Sequence, residues 1–385
     1  MIRARVRAGL LLGALALVVV LVPAAVPAER AQDYIVVLDP SFAGSAASVA
    51  HEHARASNGR VGLVYEHALK GFVLRISPAA AERLAARDQR IAFVEADAPV
   101  EAFATQSPVT WGLDRIDQRN RPLSNSYTYT ATGSGVTAYI VDTGIRYTHV
   151  DFGGRAVAGF DAFGGSGSDC HGHGTHVAGT VGGATYGVAK SVQLVAVRVL
   201  SCSGSGTTAG VIAGVDWVTA HHLPGAPAVA NMSLGGGAST ALDTAVRNSI
   251  ADGVTYAVAA GNGNSGGRQQ DACKYSPARV SEALTIGATD SSDRKASWSN
   301  YGPCVDWFAP GVSITSAWHT SNTATNTISG TSMATPHTAG VAAQYLQTNP
   351  GASPATVRSV LFNDTTKGIV TSSSTTNNHL LFTNR

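Results

Sequence analysis

Three short segments carry side chains able to do chemistry. Asp142-Thr143-Gly144 follows the apolar run Val136–Val141, so a carboxylate stands where a strand ends and a glycine permits a turn. Such a carboxylate can cap the turn, share a proton with a second carboxylate, or orient an imidazole. The shared proton needs two copies of the motif, and no second Asp-Thr-Gly occurs in the sequence. In His171-Gly172-His173-Gly174-Thr175-His176 three histidines crowd the start of an apolar helix beginning near Gly174. They read either as metal ligands, although the HExxH spacing and its glutamate base are lacking, or as one proton-shuttling imidazole whose tautomer a carboxylate fixes. Ser332 lies between Gly330 and a helix rich in small apolar residues. A serine hydroxyl becomes a nucleophile only with a base in hydrogen-bond reach. At a helix start, free N–H groups, its own included, point at an oxygen that turns negative during attack on a carbonyl. The plain alternative is a capping serine. Pro336 is read as falling in the first turn of that helix, where its missing N–H is harmless.

These segments need a scaffold. From Trp111 onward, short apolar runs (Val136–Val141, Leu194–Leu200, Ala228–Leu234, Val254–Ala260, Leu284–Ala288) alternate with helical spacing around Thr207–Ala220 and Thr240–Ala251. Continuous hydrophobicity implies strands buried on both faces, hence an α/β fold of three layers, α/β/α, around a mainly parallel central sheet. Ligands in such sheets sit beyond the carboxyl ends of the strands, which is where Asp142 falls. The tail Thr371–Asn378, rich in Ser, Thr and Asn, reads as a surface loop. Upstream, residues 33–103 read as a separate small α+β unit. Tyr34–Leu38 is a strand and Ser48–Ala56 a helix; Val61–Ile76 gives two strands, Pro78–Arg87 a second helix and Ile91–Glu95 a last strand. That β-α-β-β-α-β order is ferredoxin-like; an unrelated small binding domain is the other reading.

At 385 residues the chain exceeds one typical domain, and processing accounts for part of the excess. Arg3, Arg5 and Arg7 precede an apolar run from Ala8 to about Val22 and small residues suited to cleavage near Ala28. This is the layout of a secretory signal over residues 1–28, with a retained anchor as the alternative. The product is then expected to be secreted, extracellular, soluble and monomeric, without membrane contact. A net charge of +2 with no basic clustering excludes a nucleic-acid groove. Export also leads to an oxidising compartment in which Cys170, Cys202, Cys273 and Cys304 can pair. Of the three possible pairings, Cys170 with Cys202 and Cys273 with Cys304 is favoured. Each bridge closes a loop of about thirty residues and contributes about 3 kcal/mol. The absence of CxxC spacing argues against zinc.

The motifs occur in the chain order Asp, His, Ser, which is that of subtilisin and not of chymotrypsin or the α/β-hydrolases. DTGI at Asp142, GHGTHVAGT at His173 and GTSMATPH at Ser332 resemble the three active-site signatures of the subtilase family. WGLDRIDQ, YGVAK, AGVDWV, ANMSLGGG and SNYG are similar to its proteinase K group, and within that group to aqualysin-like secreted enzymes. The resemblance implies a serine endopeptidase with Asp142, His173 and Ser332 as triad, meeting in one hydrogen-bonded line. It gives His171 and His176 no catalytic part. It implies that Asn262, with the Ser332 N–H, binds the oxyanion. Ser233-Leu234-Gly235 and Ala259-Ala260-Gly261 resemble walls of the primary specificity pocket, and Gly204-Ser205-Gly206 a strand that pairs with the substrate peptide. A wide pocket of this composition prefers apolar or aromatic residues before the scissile bond.

The same resemblance makes residues 29–103 an inhibitor-type propeptide that assists folding, blocks the site and is removed by self-cleavage after Phe103, leaving a peptidase domain over 104–385. Protein or peptide substrates and the chain's own propeptide are the implied partners, and no catalytic cofactor is implied. Structural Ca²⁺ is implied at Asp306 with the carbonyls of Pro277 and Arg279. A second calcium site is implied at Asp114, Asp117 and Gln118, where Ser124 and Ser126 replace stronger ligands of relatives. The stretch GNGNSGGRQQDAC departs from the family in being several residues longer than expected between Asn262 and Cys273. A catalytically silent binding protein that keeps the fold is the rival from another class.

Overall fold

A computed structural model describes residues 30–97 and 104–385. The expected signal segment and the expected cleavage position after Phe103 lie outside the described residues. The chain divides into two compact units at Val100/Glu101.

The first unit runs β1 (Gln32–Leu38), α1 (Ala46–Ser57), β2 (Arg60–Tyr65), β3 (Gly71–Ile76), α2 (Pro78–Arg87) and β4 (Ile91–Ala96). Its strands form an antiparallel sheet in the order β2-β3-β1-β4, the expected ferredoxin-like arrangement. Alternate residues Tyr34, Val36 and Leu38 face the helices, where they pack with Val49, Ala50 and Leu84. Ser77 caps α2 by accepting the Ala80 N–H, with Pro78 in the first turn.

The second unit continues with β5 (Ala104–Gln106), α3 (Trp111–Ile116), β6 (Tyr127–Tyr129), β7 (Thr137–Asp142), β8 (Ala156–Asp161), α4 (His173–Gly182), β9 (Gln193–Arg198), α5 (Thr208–His221) and β10 (Ala228–Met232). Then come β11 (Gly236–Gly237), α6 (Thr240–Asp252), β12 (Thr255–Ala259), β13 (Tyr275–Ser276), β14 (Leu284–Thr289), β15 (Trp307–Pro310), β16 (Ile314–Ala317) and β17 (Thr325–Ile328). The last elements are α7 (Thr331–Thr348), α8 (Pro354–Asp364), β18 (Thr366–Lys367) and β19 (His379–Leu380).

The central sheet has the order β18-β19-β15-β14-β12-β10-β7-β9-β8. Every neighbouring pair is parallel except β18 with β19. Strands β10, β12, β14 and β15 are buried along their whole length, because helices cover both faces. On one face Val177, Val181, Ala339 and Val341 of α4 and α7 meet Ile140 and Ile286. On the other, Val211, Val215, Leu242 and Val246 of α5 and α6 meet Val141, Val197 and Val258. The small residues of α7 allow close approach; a Cβ on Gly340 would come within 2.5 Å of Val188. The five expected strands and both expected helices form within two residues of the expected ends, and β8, β15, β18 and β19 are additional strands of the sheet.

Both disulfides take the expected pairing, Cys170–Cys202 and Cys273–Cys304. Among the described residues no helix is long and apolar enough to cross a membrane.

Candidate active site

Because the sheet is parallel, the carboxyl ends of β7, β10 and β12 open on one edge, and the helix starts of α4 and α7 converge there. Asp142 is the last residue of β7 and is fully buried. His173 opens α4, and its Nδ1 lies 2.8 and 2.9 Å from the two Asp142 carboxylate oxygens. That bond fixes Nδ1 as the protonated nitrogen and leaves Nε2 as the basic one. Burial alone would push the imidazolium pKa down, but the Asp142 charge, its hydrogen bond and the charge of Asp169 outweigh it. The net shift is upward from 6.5. Gly172, which precedes His173, has φ +111°, and a Cβ there would stand 2.4 Å from Trp318, so only glycine lets the turn approach the β16–β17 hairpin.

Ser332 lies at the second position of α7 and lines the same cleft as His173. Its Oγ donates to the Ser233 carbonyl at 3.0 Å. The Asp142–His173 half of the expected line is therefore formed, whereas the serine hydroxyl must turn about its Cα–Cβ bond to meet Nε2. Ser233 reciprocates, its Oγ donating to the Ser332 carbonyl at 2.8 Å. This second bond explains Pro336, which lies six residues into α7 and not in its first turn as expected. Having no N–H, Pro336 leaves the Ser332 carbonyl without its i+4 helical donor, and the Ser233 hydroxyl takes that place.

Asn262 follows β12, and its Oδ1 accepts both the N–H and the hydroxyl of Thr331 at 2.8 Å. That identifies the other end of the amide as the free donor. A Cβ on Gly330 would lie 3.5 Å from both Asn262 Nδ2 and the Ser332 nitrogen, so the two N–H donors border one small volume. The cleft, of about 500 Å³, is lined by Gly204, Ser205, Gly206, Ser233, Leu234 and Gly235 beside His173 and Ser332. An adjoining pocket of about 250 Å³ is lined by Leu234, Gly235, Ala259, Ala260, Gly261, Asn262 and Ser332. The long 263–271 stretch folds onto itself, the Asn264 side chain accepting the N–H groups of Gly266 and Arg268. Asn300 holds its two ends through the Gly263 and Gln270 N–H groups.

The three histidines diverge. His171 accepts the His173 N–H at 3.4 Å and lines the cleft. His176 is buried, its Nε2 on the Ile314 carbonyl, and burial pushes its pKa down to about 4. Among the described residues no group of three His, Cys, Asp or Glu side chains is placed to hold a metal ion. Two residues that sequence reasoning passed over stand behind the site, Asp169 and Thr143. The signal available for them was a carboxylate four residues before His173 and a hydroxyl next to Asp142.

The two calcium positions differ. Asp306 gives one oxygen to the Arg358 guanidinium and the other to the Thr285 N–H at 2.8 Å. The Pro277 carbonyl accepts the Val280 N–H, and the Arg279 guanidinium pairs with Asp243. A cationic side chain pairs with Asp306, so a calcium ion bound there would have to displace Arg358. At the second position Asp114 accepts the backbone of Ser124 and Asn125, Gln118 Oε1 accepts the Ser124 N–H, and Ser124 Oγ touches Ser126 Oγ at 2.8 Å. Asp117 Oδ2 accepts the Thr128 N–H, but its Oδ1 is buried with no hydrogen-bond partner among the described residues. An orphaned carboxylate oxygen amid other oxygen donors fits a hard cation.

The chain is similar to known proteins along most of its length. An extracellular serine proteinase of Thermus sp. (strain Rt41A) is 62% identical over 313 residues, covering 81% of this chain and 74% of its own. Alkaline serine exoprotease A of Vibrio alginolyticus is 53% identical over 327 residues, covering 83% of this chain and 59% of that longer protein. The crystal structure of a cold adapted subtilisin-like serine proteinase superimposes with a TM-score of 0.68 at 55% identity, covering 72% of this chain and 98% of that one. Residues 33–103 match the peptidase inhibitor I9 family. Residues 133–381, more than half of the chain, match the subtilase family, and to that family this protein belongs.

Proposed function

We propose that the chain is a secreted serine endopeptidase, made as a zymogen that processes itself. The observation that carries this reading is the pairing of buried Asp142 with half-buried His173 at the sheet edge, with Ser332 on the same cleft. In the mechanism Ser332 attacks a peptide carbonyl after turning toward His173 Nε2, which takes its proton and returns it to the leaving amine. Asp142 holds the tautomer and stabilises the imidazolium. Asn262 Nδ2 and the Ser332 N–H stabilise the oxyanion. The substrate backbone adds as a strand between Gly204–Gly206 and Ser233–Gly235. The residue before the scissile bond enters the pocket walled by Ala259, Ala260 and Gly261, whose small neutral lining favours an apolar or aromatic side chain.

Calcium, when bound, supplies charge neutralisation to the Asp114–Asp117–Gln118 loop, with Ser124 and Ser126 completing the oxygen set. Asp306 remains paired with Arg358. Self-processing after Phe103 places a geometric demand on the chain. Gln106 of β5 pairs with Tyr127 of β6, and the Tyr127 hydroxyl meets the Gln344 amide at 2.9 Å. Gln344 lies twelve residues beyond Ser332 on α7, about 18 Å along the helix. The strand must therefore leave β6 for the bond at Phe103 to reach Ser332, and it docks after the cut.

Two experiments test the reading. A fluorophosphonate should label the protein at Ser332, with labelling lost in Ser332→Ala; an unlabelled wild type means a silent fold. N-terminal sequencing of secreted wild type should begin at Ala104, with Ser332→Ala retaining the propeptide. Cleavage of both at the same bond refutes self-processing.

A further inference from the structure

Asp169 is buried, charged and without a part in the mechanism above, yet it accepts five hydrogen bonds. Its Oδ1 takes the Thr143 hydroxyl and the N–H groups of His171 and Gly172, each at 2.9 Å. Its Oδ2 takes the Thr175 N–H at 2.9 Å and the Thr175 hydroxyl at 2.6 Å. Three of the five donors are backbone N–H groups in the turn that carries His173. Helix α4 needs this, because its N-cap is Gly172, which has no side chain to satisfy the free N–H groups of the first turn. Asp169 supplies the capping carboxylate from outside the helix, and its charge also suits a helix N-terminus.

The network reaches the other side of the catalytic pair through Thr143. Its N–H donates to Asp142 Oδ1 at 2.7 Å, its hydroxyl donates to Asp169, and the same oxygen accepts the Gly174 N–H at 2.8 Å. The strand end bearing Asp142 and the turn bearing His173 are thus tied to a single carboxylate. The disulfide Cys170–Cys202 adjoins it in the chain and bridges to the segment just before Gly204.

We infer that Asp169 is a positioning residue of the active site, setting the His173 imidazole against Asp142 through the Thr143 hydroxyl and the N–H groups of the His171–Thr175 turn. This rests on the catalytic reading above. A five-bonded carboxylate resists rotation because any turn of its plane breaks at least two bonds, so the imidazole cannot drift from Asp142 while these five bonds hold. Its charge adds a second effect. The titratable groups around His173 are Asp142, Asp169, His171 and His176, and only the two carboxylates favour the imidazolium that forms during attack.

The test compares wild type with Asp169→Asn, Thr143→Val and Thr143→Ser, measuring kcat and KM across pH on one peptide substrate. Thermal unfolding and the low-field proton resonance of the Asp142–His173 hydrogen bond are followed in parallel. Asp169→Asn keeps the size but cannot accept all five bonds. We expect kcat to fall about 10- to 100-fold with KM little changed, as for a small misplacement of a reacting group. The acid limb of kcat/KM should move down, since a charge favouring the imidazolium is gone. Thr143→Val should reproduce the loss in kcat without the full shift of the limb, and Thr143→Ser should restore it. A folded Asp169→Asn with the wild-type acid limb, kcat and low-field resonance overturns the inference. So does a loss of activity that only tracks the unfolded fraction. If Asp169→Asn does not fold, the Thr143 pair decides, and equal kcat in Val and Ser variants refutes the tie. Failure of fluorophosphonate labelling in wild type would sink the catalytic reading instead. The low-field resonance needs no substrate and would still report whether Asp169 holds the pair.

Discussion

Asn262 offers the sharpest test of the oxyanion site, because its two ends have separable jobs. Its Oδ1 accepts two bonds from Thr331 at 2.8 Å, and its Nδ2 is the end that borders the same small volume as the Ser332 nitrogen. Asn262→Ala removes both. Losing the donor costs about 3 kcal/mol in the transition state, or about 150-fold in kcat. Losing the two accepted bonds at this exposed position costs about 1–2 kcal/mol of stability, or about 2–8 °C in Tm. Asn262→Asp keeps an acceptor for Thr331 and so should retain most of the Tm. It puts a negative oxygen where the donor was, and its kcat should fall at least about 10³-fold, more than in the alanine variant. Stopped assays on a chromogenic peptide with an aromatic residue before the bond, alongside calorimetry, separate the two effects. The aspartate variant within about fivefold of wild-type kcat, or an alanine variant whose loss lies in KM, would refute the assignment of Asn262 to the oxyanion.

Three other outcomes are expected. The kcat/KM profile should lose activity as pH falls, with a one-proton midpoint above 6.5, because His173 must be neutral to act as base and Asp142 and Asp169 hold its pKa up; a midpoint below 6 contradicts that balance. Chelator should lower the Tm of wild type, by an amount corresponding to about 2.7 kcal/mol if calcium stood at a hundredfold its Kd. Asp117→Asn should abolish that response while Asp306→Asn preserves it, and the reverse pattern would move the ion to Asp306. Replacing Cys170 and Cys202 together by serine should cost about 3.7 kcal/mol for a separation of 32 residues. It should also raise KM for peptides long enough to span Gly204–Gly206. Unfolding titrations and chain-length-dependent kinetics check the two parts, and a stable variant with unchanged KM would detach the bridge from the cleft.

The sequence made the sheet legible because burial on both faces leaves little freedom in composition. AVANM and TYAVA are apolar or small at every position, and the strands they form are wholly buried. Strand β8 escaped because AVAGFD is an edge strand, half exposed and interrupted by Gly159. Strand β15 escaped because it is four residues long and ends at Pro310. Local chemistry made Asp142, His173 and Ser332 candidates, a carboxylate at a strand end and an imidazole and a hydroxyl at helix starts, and the resemblance to the subtilase signatures is what joined them as an expected triad. What could not be read was every contact made by residues distant in the chain whose meeting depends on the completed fold. Arg358 reaches Asp306 across 52 positions and takes the place a metal was expected to fill; neither residue's local sequence hints at the other. The same holds for Ser233 and Ser332, 99 positions apart.

That last pair shows how a rule of local structure can point in the wrong direction. Proline inside a helix costs about 3 kcal/mol or more, chiefly through a lost hydrogen bond and a ring clash, so Pro336 was expected where the loss would be absent. The structure instead sets it deeper in α7, where the loss falls on the carbonyl of Ser332 itself. A carbonyl freed from its helix can accept a bond from outside, and Ser233 donates it from the wall of the cleft. The nucleophile's backbone is thereby anchored to the segment proposed to hold the substrate. Ser233→Ala removes the hydroxyl that donates to the Ser332 carbonyl and accepts from the Asn231 amide at 2.9 Å, while the Ser233 carbonyl remains. It should therefore leave the Ser332 carbonyl unpaired and lower stability by about 1–3 kcal/mol, an effect that Ser233→Thr should largely reverse.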